Sequence, residues 1–179
     1  MANCARIRRM FRLDRRLVLL AATLLLGVGC ARSATVEEAI EVLDLKSGYD
    51  DGGRESGQNR LLPTVAFKVR NKATRPIHSV QFNAVFRVIG DPEELGAQLI
   101  LGIDYGGLAA GQTAGPFTLR SMFGYSGEQA RADMFQHEGF KDVQVELFAK
   151  QGGNQWVKLT EQVVERQLLA VAPAPAATQ

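Results

Sequence analysis

The chain has 179 residues, room for one ordinary domain plus targeting segments and too little for two full domains. Apolar residues make up 46% of it and charged residues 22%, a balance that excludes a largely disordered chain. The formal charge of +2 is gathered at one end: six of the 21 Lys and Arg (Arg6, Arg8, Arg9, Arg12, Arg15 and Arg16) precede Cys30 with only one acid, Asp14, and the 15 basic and 18 acidic residues from Cys30 onward, a net of −3, exclude an electrostatic footprint for nucleic acid.

Leu17 to Val28 (LVLLAATLLLGV) is an uncharged apolar run of 12 residues behind that arginine cluster. As a helix it would rise about 18 Å, well short of the roughly 30 Å hydrocarbon core, so it fits the h-region of a signal peptide better than a permanent span. The arginines hold its near end on the cytoplasmic side. Met10 is an alternative start that leaves a shorter leader.

The run closes on Leu26-Gly27-Val28-Gly29-Cys30, which resembles the lipobox of bacterial lipoproteins; Gly27 stands where that family usually has Leu. The resemblance implies cleavage between Gly29 and Cys30 and acylation of Cys30, so that membrane lipid is the first partner. Ala31, in place of an Asp, does not favour inner-membrane retention, which implies the periplasmic face of the outer membrane. Two alternatives stay open: cleavage after Ala31-Arg32-Ser33, giving a soluble secreted protein, and an uncleaved anchor. The only cysteines are Cys4 and Cys30, so the remainder of the chain has no internal disulfide and depends on burial.

Four segments follow: a signal peptide over 1–29, a lipidated N-terminus and tether over 30–36, a folded domain over 37–169, and a Pro/Ala tail over 170–179. Along the domain, Ile40 to Leu45 reads as a strand, and Ser47 to Glu55 as a solvated polar loop. Val65, Phe67 and Val69 interleave with Ala66, Lys68 and Arg70, and Val80, Phe82, Ala84, Phe86 and Val88 with Gln81, Asn83 and Arg87, giving two half-buried strands joined by the turn chemistry of Asn71 to Pro76. Asp91-Pro92-Glu93-Glu94 reads as a turn. Gln98 to Tyr105 and Gly115 to Phe123 continue the pattern.

Ser126 and Gln129 match a capping box ahead of a short helix over Ala130 to Gln136. Val143 to Ala149, the turn Gln151-Gly152-Gly153-Asn154 and Gln155 to Leu159 form the clearest hairpin. Thr160 to Leu169 suits a strand or a helix equally. About seven short strands with one inserted helix predict an all-β fold, an immunoglobulin-like antiparallel β-sandwich.

LLPTVAFKVRNKATRPIHSVQFNAVFRVIG followed by GGLAAGQTAGPFTLRS resembles the FxLYD-type immunoglobulin-like domains of bacterial envelope lipoproteins, with Val69, Asn71, Pro76, Val80, Leu108, Gly111, Thr113 and Phe117 at the pattern positions and Val85-Phe86-Arg87 in place of Leu-Tyr-Asp. The resemblance implies a non-catalytic binding or scaffold module with an envelope protein as partner. Asn71 is expected to bond backbone in a turn, and Gly111 to supply a positive φ.

The inventory for chemistry is thin. His78 and His137 are the only histidines and lie far apart in sequence, and each reads as a surface or half-buried residue. Ser126 sits in a partial nucleophile-elbow pattern but is better used as a helix cap. Asp50, Asp51 and Glu55 offer three carboxylates in irregular spacing, whereas calcium takes about six to eight oxygens. No catalytic residue, metal or cofactor is assigned. Phe82, Phe86, Phe117, Phe123, Phe135, Phe140, Phe148 and Trp156 are expected to pack the core, with Phe123, Tyr125, Phe135 and Phe140 around the helix as the candidate interaction patch. A soluble secreted enzyme or carbohydrate-binding module, and an accessory subunit of an envelope transport or assembly complex that pairs through a sheet edge, are the competing readings.

Overall fold

Thr35 starts the structured chain by capping one turn of helix. Its hydroxyl accepts a hydrogen bond from the Glu38 N–H at 3.4 Å while the Glu38 carboxylate accepts from the Thr35 N–H at 2.9 Å, the reciprocal pair that satisfies two orphan donors of α1 (Val36–Ala39). The computed structural model describes residues 35–169. The expected leader, the expected Gly29/Cys30 cleavage position and the Pro/Ala tail lie outside the described residues. Val36 is buried against the core, so Thr35 and Val36 belong to the domain and not to the expected tether.

Eight strands follow: β1 (Ile40–Glu55), β2 (Gln58–Asn71), β3 (Val80–Val88), β4 (Glu94–Ile103), β5 (Thr113–Arg120), β6 (Tyr125–Gly127), then a second one-turn helix α2 (Arg131–Met134), β7 (Val143–Gln151) and β8 (Val157–Val163). One antiparallel sheet runs β1-β2-β5 with β6 also on β2, and the other runs β4-β3-β7-β8. Lettered in chain order as A, B, C, C′, E, F and G, with β6 left over, the first sheet is A-B-E and the second C′-C-F-G. This is the connectivity of an immunoglobulin-like sandwich, and the all-β prediction stands with eight strands instead of about seven.

Ser47 to Glu55 is not a loop. It is the second half of β1, which pairs with β2 from Ile40↔Asn71 to Glu55↔Gln58 through irregularities at Leu43/Lys46 and Asp51/Arg54. Pairing with the apolar Leu61–Val65 stretch of β2 overrides the weak strand propensity of Ser, Gly and Asp. The bulge, where Asp44 takes φ 50°, also breaks the alternation that would have announced the strand. A two-residue turn, Ser56-Gly57, closes the hairpin with both φ values positive, 51° and 86°.

The segment after Asn71 crosses between sheets. Buried Asn71 holds it: its amide nitrogen donates to the carbonyls of Arg75 and Leu108, both at 2.9 Å, and its oxygen accepts from the Ala73 N–H at 2.9 Å. Gly111 has the expected positive φ, 75°. The hairpin of β7 and β8 forms as read, with Gly152 at φ 54° in its turn.

Ser126 caps no helix. It lies in β6 opposite Arg60, and the N-cap of α2 is Ala130, which makes no side-chain cap bond. Pairing Tyr125–Gly127 with the exposed edge of β2 satisfies backbone groups at once, whereas a helix of this length must bear a nucleation cost. The chain from 160 onward continues β8 to Val163. Beyond it the chain turns to lie parallel to β1, where the Tyr49 N–H donates to the Gln167 carbonyl at 2.8 Å and the Leu169 N–H donates to the Tyr49 carbonyl at 2.9 Å.

Between the sheets, Phe67, Phe82 and Phe117 meet with ring centroids 5.4 to 5.6 Å apart, surrounded by Val65, Val69, Val80 and Leu147. Three aromatics expected inside are not: Phe123 and Trp156 are exposed, and Phe148 is half-buried on the outer face of β7. Trp156 instead receives the Lys150 ammonium 4.9 Å from its ring centroid.

Candidate functional site

The bulge in β1 turns Tyr49 inward at one end of the sandwich, where it is 1% exposed. Gly48 makes the placement feasible, because a Cβ there would come within 2.7 Å of Leu169 and 2.8 Å of the Gln167 carbonyl. Around Tyr49 the rings pack edge to face: Phe135 and Phe140 each lie 5.3 Å from it, centroid to centroid, and Tyr125 lies 5.2 Å from Phe140. Arg166 closes the cluster, stacking 5.1 Å over Phe140, donating to the Phe135 carbonyl at 2.9 Å and pairing with Asp142 at 2.7 Å.

Beside this cluster is a slot of about 130 Å³ lined by Tyr49, Pro63, Val88, Leu95, Tyr125 and Phe140, among others. Gly124 lets its wall close, since a Cβ there would collide with the Leu61 carbonyl. The Tyr49 hydroxyl is buried and has no hydrogen-bond partner among the described residues. Burial, and then the nearby Asp142 carboxylate, push its pKa well up against a smaller opposing pull from Arg166, so it is a neutral donor at any physiological pH. Tyr125 is tied differently. Its hydroxyl lies in hydrogen-bond contact with His137 Nδ1 at 2.6 Å, and the Gly139 N–H approaches the same nitrogen at 3.2 Å.

The four patch residues therefore do not form an exposed surface. Phe135 and Phe140 are buried, at 9% and 6% exposure, and Tyr125 is half-buried; Phe123 alone faces out, at 61%. Burying two large rings against Tyr49 favours the inward arrangement. His78, whose Nδ1 lies 3.1 Å from the Tyr105 carbonyl, and His137 engage separate partners. Asp50 and Asp51 pair with Arg120 at 2.8 Å and Arg131 at 2.6 Å, and among the described residues no group of three or more His, Cys, Asp or Glu is placed to hold a metal.

Sequence reading missed Tyr49 because its neighbours are Gly and Asp; a lone aromatic in a polar run was the only signal. A second concavity, about 770 Å³ and open, runs between the β4 edge (Gln98, Leu99) and Arg60, Leu62 and Arg120 of the other sheet, with Met122 of the loop after β5.

No protein-family model matches the chain, and no curated protein does. Among solved structures the chain is similar to the X-ray structure of a Northeast Structural Genomics Consortium target, at 8% identity and TM-score 0.41 over 80% of this chain and 99% of that one. It is also similar to a crystal structure of a protein from Archaeoglobus fulgidus, at 14% identity and TM-score 0.36 over 72% of this chain and 100% of that one.

Proposed function

We propose that the chain is an exported bacterial lipoprotein whose sandwich is a non-catalytic binding or scaffold module, held by acylated Cys30 at the periplasmic face of the outer membrane. One observation carries the reading: an arginine cluster and a 12-residue apolar run deliver Gly29-Cys30, and only four residues separate Cys30 from the capping residue Thr35 of the folded domain. The five steps from Cys30 to Thr35 span at most about 18 Å, so a lipid on Cys30 would keep the domain close to the bilayer surface. No helix among the described residues is long and apolar enough to cross a membrane. Two or three acyl chains would give lasting attachment, at about 0.8 kcal/mol per buried CH₂.

The test is mass spectrometry of the mature N-terminus together with fractionation of Cys30→Ser. Acylated Cys30 and loss of the variant from membranes are expected. A free N-terminus beyond Cys30, or unchanged partitioning of the variant, would overturn the reading.

A second reading, an accessory subunit that accepts a partner strand, is favoured by β4, which has no strand on its outer side among the described residues and exposes Leu99 and Leu101 at 54% and 52%. Crosslinking from position 99 in cells tests it: a defined partner protein supports it, and none refutes it.

A further inference from the structure

The two ends of the sandwich differ in charge and in what they expose. At the end where β1 and β3 begin, three connections meet: 72–79 between β2 and β3, 104–112 between β4 and β5, and 152–156 between β7 and β8. Backbone bonds tie them to one another and to α1. The Lys72 N–H donates to the Ala39 carbonyl at 2.7 Å, Ile77 and Leu108 exchange bonds at 3.0 and 2.8 Å, the Ser79 N–H donates to the Asp104 carbonyl at 3.0 Å, and the Gly152 N–H donates to the Ser79 carbonyl at 2.9 Å. Two large aromatic side chains stand out from this frame: Tyr105, 85% exposed, and Trp156, 37% exposed. No charged residue falls between Tyr105 and Gln112 or between Gly152 and Trp156, and Lys72 and Arg75 are exposed on the remaining connection. The other end is acidic. Asp91, Glu93 and Glu94 lie in and beside the β3–β4 turn and Glu128, Asp133 and Glu138 in and around α2, with Arg54 and Lys141 among them, while Arg131 and Arg166 are each paired with an acid.

We infer that the end bearing Tyr105 and Trp156 is a membrane-contact face that rests on phospholipid headgroups, with the two rings at the boundary between headgroup and acyl chain and Lys72 and Arg75 against lipid phosphates. Tyr and Trp combine an apolar body with a polar tip, which suits them to that boundary. Charge orients the domain the same way. Lys72, Arg75 and Lys150 offset Glu37, Glu38 and Asp104 at this end, so an anionic surface repels the acidic end and accepts this one. The inference rests on the lipid anchor for proximity, since α1 is bonded to this end and at most about 18 Å of chain separates Thr35 from Cys30. It adds an orientation: the acidic end, with the slot beside Tyr49, faces away from the bilayer.

Trp156 is the chain's single tryptophan, so its fluorescence reports this face directly. The test places the acylated protein, purified from cells, in vesicles of phosphatidylethanolamine with phosphatidylglycerol. Lipids brominated near the headgroup are expected to quench Trp156, and iodide in the water to quench it less than in the Cys30→Ser protein without vesicles. Tyr105→Ser and Arg75→Glu, both at exposed positions that leave the core untouched, should each lower the bromolipid quenching. The Cys30→Ser protein should bind the same vesicles weakly, and adding Arg75→Glu should weaken that binding about five-fold or more, the factor one basic residue supplies at an anionic surface. Trp156 equally open to iodide with and without vesicles, bromolipid quenching unchanged by both variants, or a defined protein crosslinked through position 105 in place of lipid would each overturn the inference. An acylated N-terminus with Trp156 in water would sink the face and leave the anchor standing. A free N-terminus would sink the anchor, and vesicle binding by the Cys30→Ser protein would then decide the face.

Discussion

Tyr49 and Asn71 show opposite ways of burying a polar group. Asn71 has all three of its bonds made, so Asn71→Ala strands the Arg75 carbonyl and the Ala73 N–H, leaves the Leu108 carbonyl with only its bond from the Ile77 N–H, and should cost about 3 kcal/mol in urea denaturation. Asn71→Asp should cost more, because its oxygens would face the Arg75 and Leu108 carbonyls. Among the described residues the Tyr49 hydroxyl has no bond to lose, and Tyr49→Phe should leave stability unchanged or raise it by up to about 1 kcal/mol by the same measurement. Asp142 gives the acid limb. Its hydrogen bond from Arg166 holds its pKa below the ordinary carboxylate value, so its contribution is fully present above the unfolded value of about 3.9 and is lost as pH falls through the lower folded value. Asp142→Asn should therefore destabilise at pH 7 and make the loss of stability on acidification shallower, as read from urea midpoints along a pH series. Of these side chains Asn71 was legible in the sequence, since an Asn ahead of a Lys-Ala-Thr-Arg-Pro turn announces a backbone bond. Tyr49 was not, because what buries it is a bulge and a chain segment more than a hundred positions away.

Strand β1 and the segment after β8 depend on each other as elements. Gly48→Val places side-chain atoms where Leu169 and the Gln167 carbonyl already are, and overpacking of this kind should cost about 1 to 3 kcal/mol. Combining it with Leu169→Ala should recover part of that loss in a double-mutant cycle; strict additivity would show that the two positions do not meet. Elements whose apolar residues alternate without interruption, β3 and β7, were readable to within a residue or two, since one covered face imposes a period of two. Where the period is broken the reading failed. The Ser126 capping box is a local preference worth about a kcal/mol, outweighed by backbone pairing with β2 that no local signal reveals. Outside the sandwich, the ladder of Arg87, Glu146, Lys158 and Glu161 links β3, β7 and β8 across the outer face, so the polar positions of those strands also specify register.

For the molecule as a whole, two sheets holding Phe67, Phe82 and Phe117 between them must supply stability by burial, because both cysteines, Cys4 and Cys30, precede the folded domain. The thermal midpoint of the domain should accordingly be the same with and without reductant. A shift would place a disulfide at Cys4 or Cys30. The sandwich class was visible from spacing and punctuation, but the slot was not: Tyr49, Pro63, Val88, Leu95, Tyr125 and Phe140 come from six separate stretches and become neighbours only once both sheets have closed. The chain's last described residues end on Tyr49 itself, with one bond on each side of it. A mechanical load applied at the C-terminus would therefore be borne first by those two bonds and would part the last described residues from the backbone of Tyr49 before any strand left its sheet.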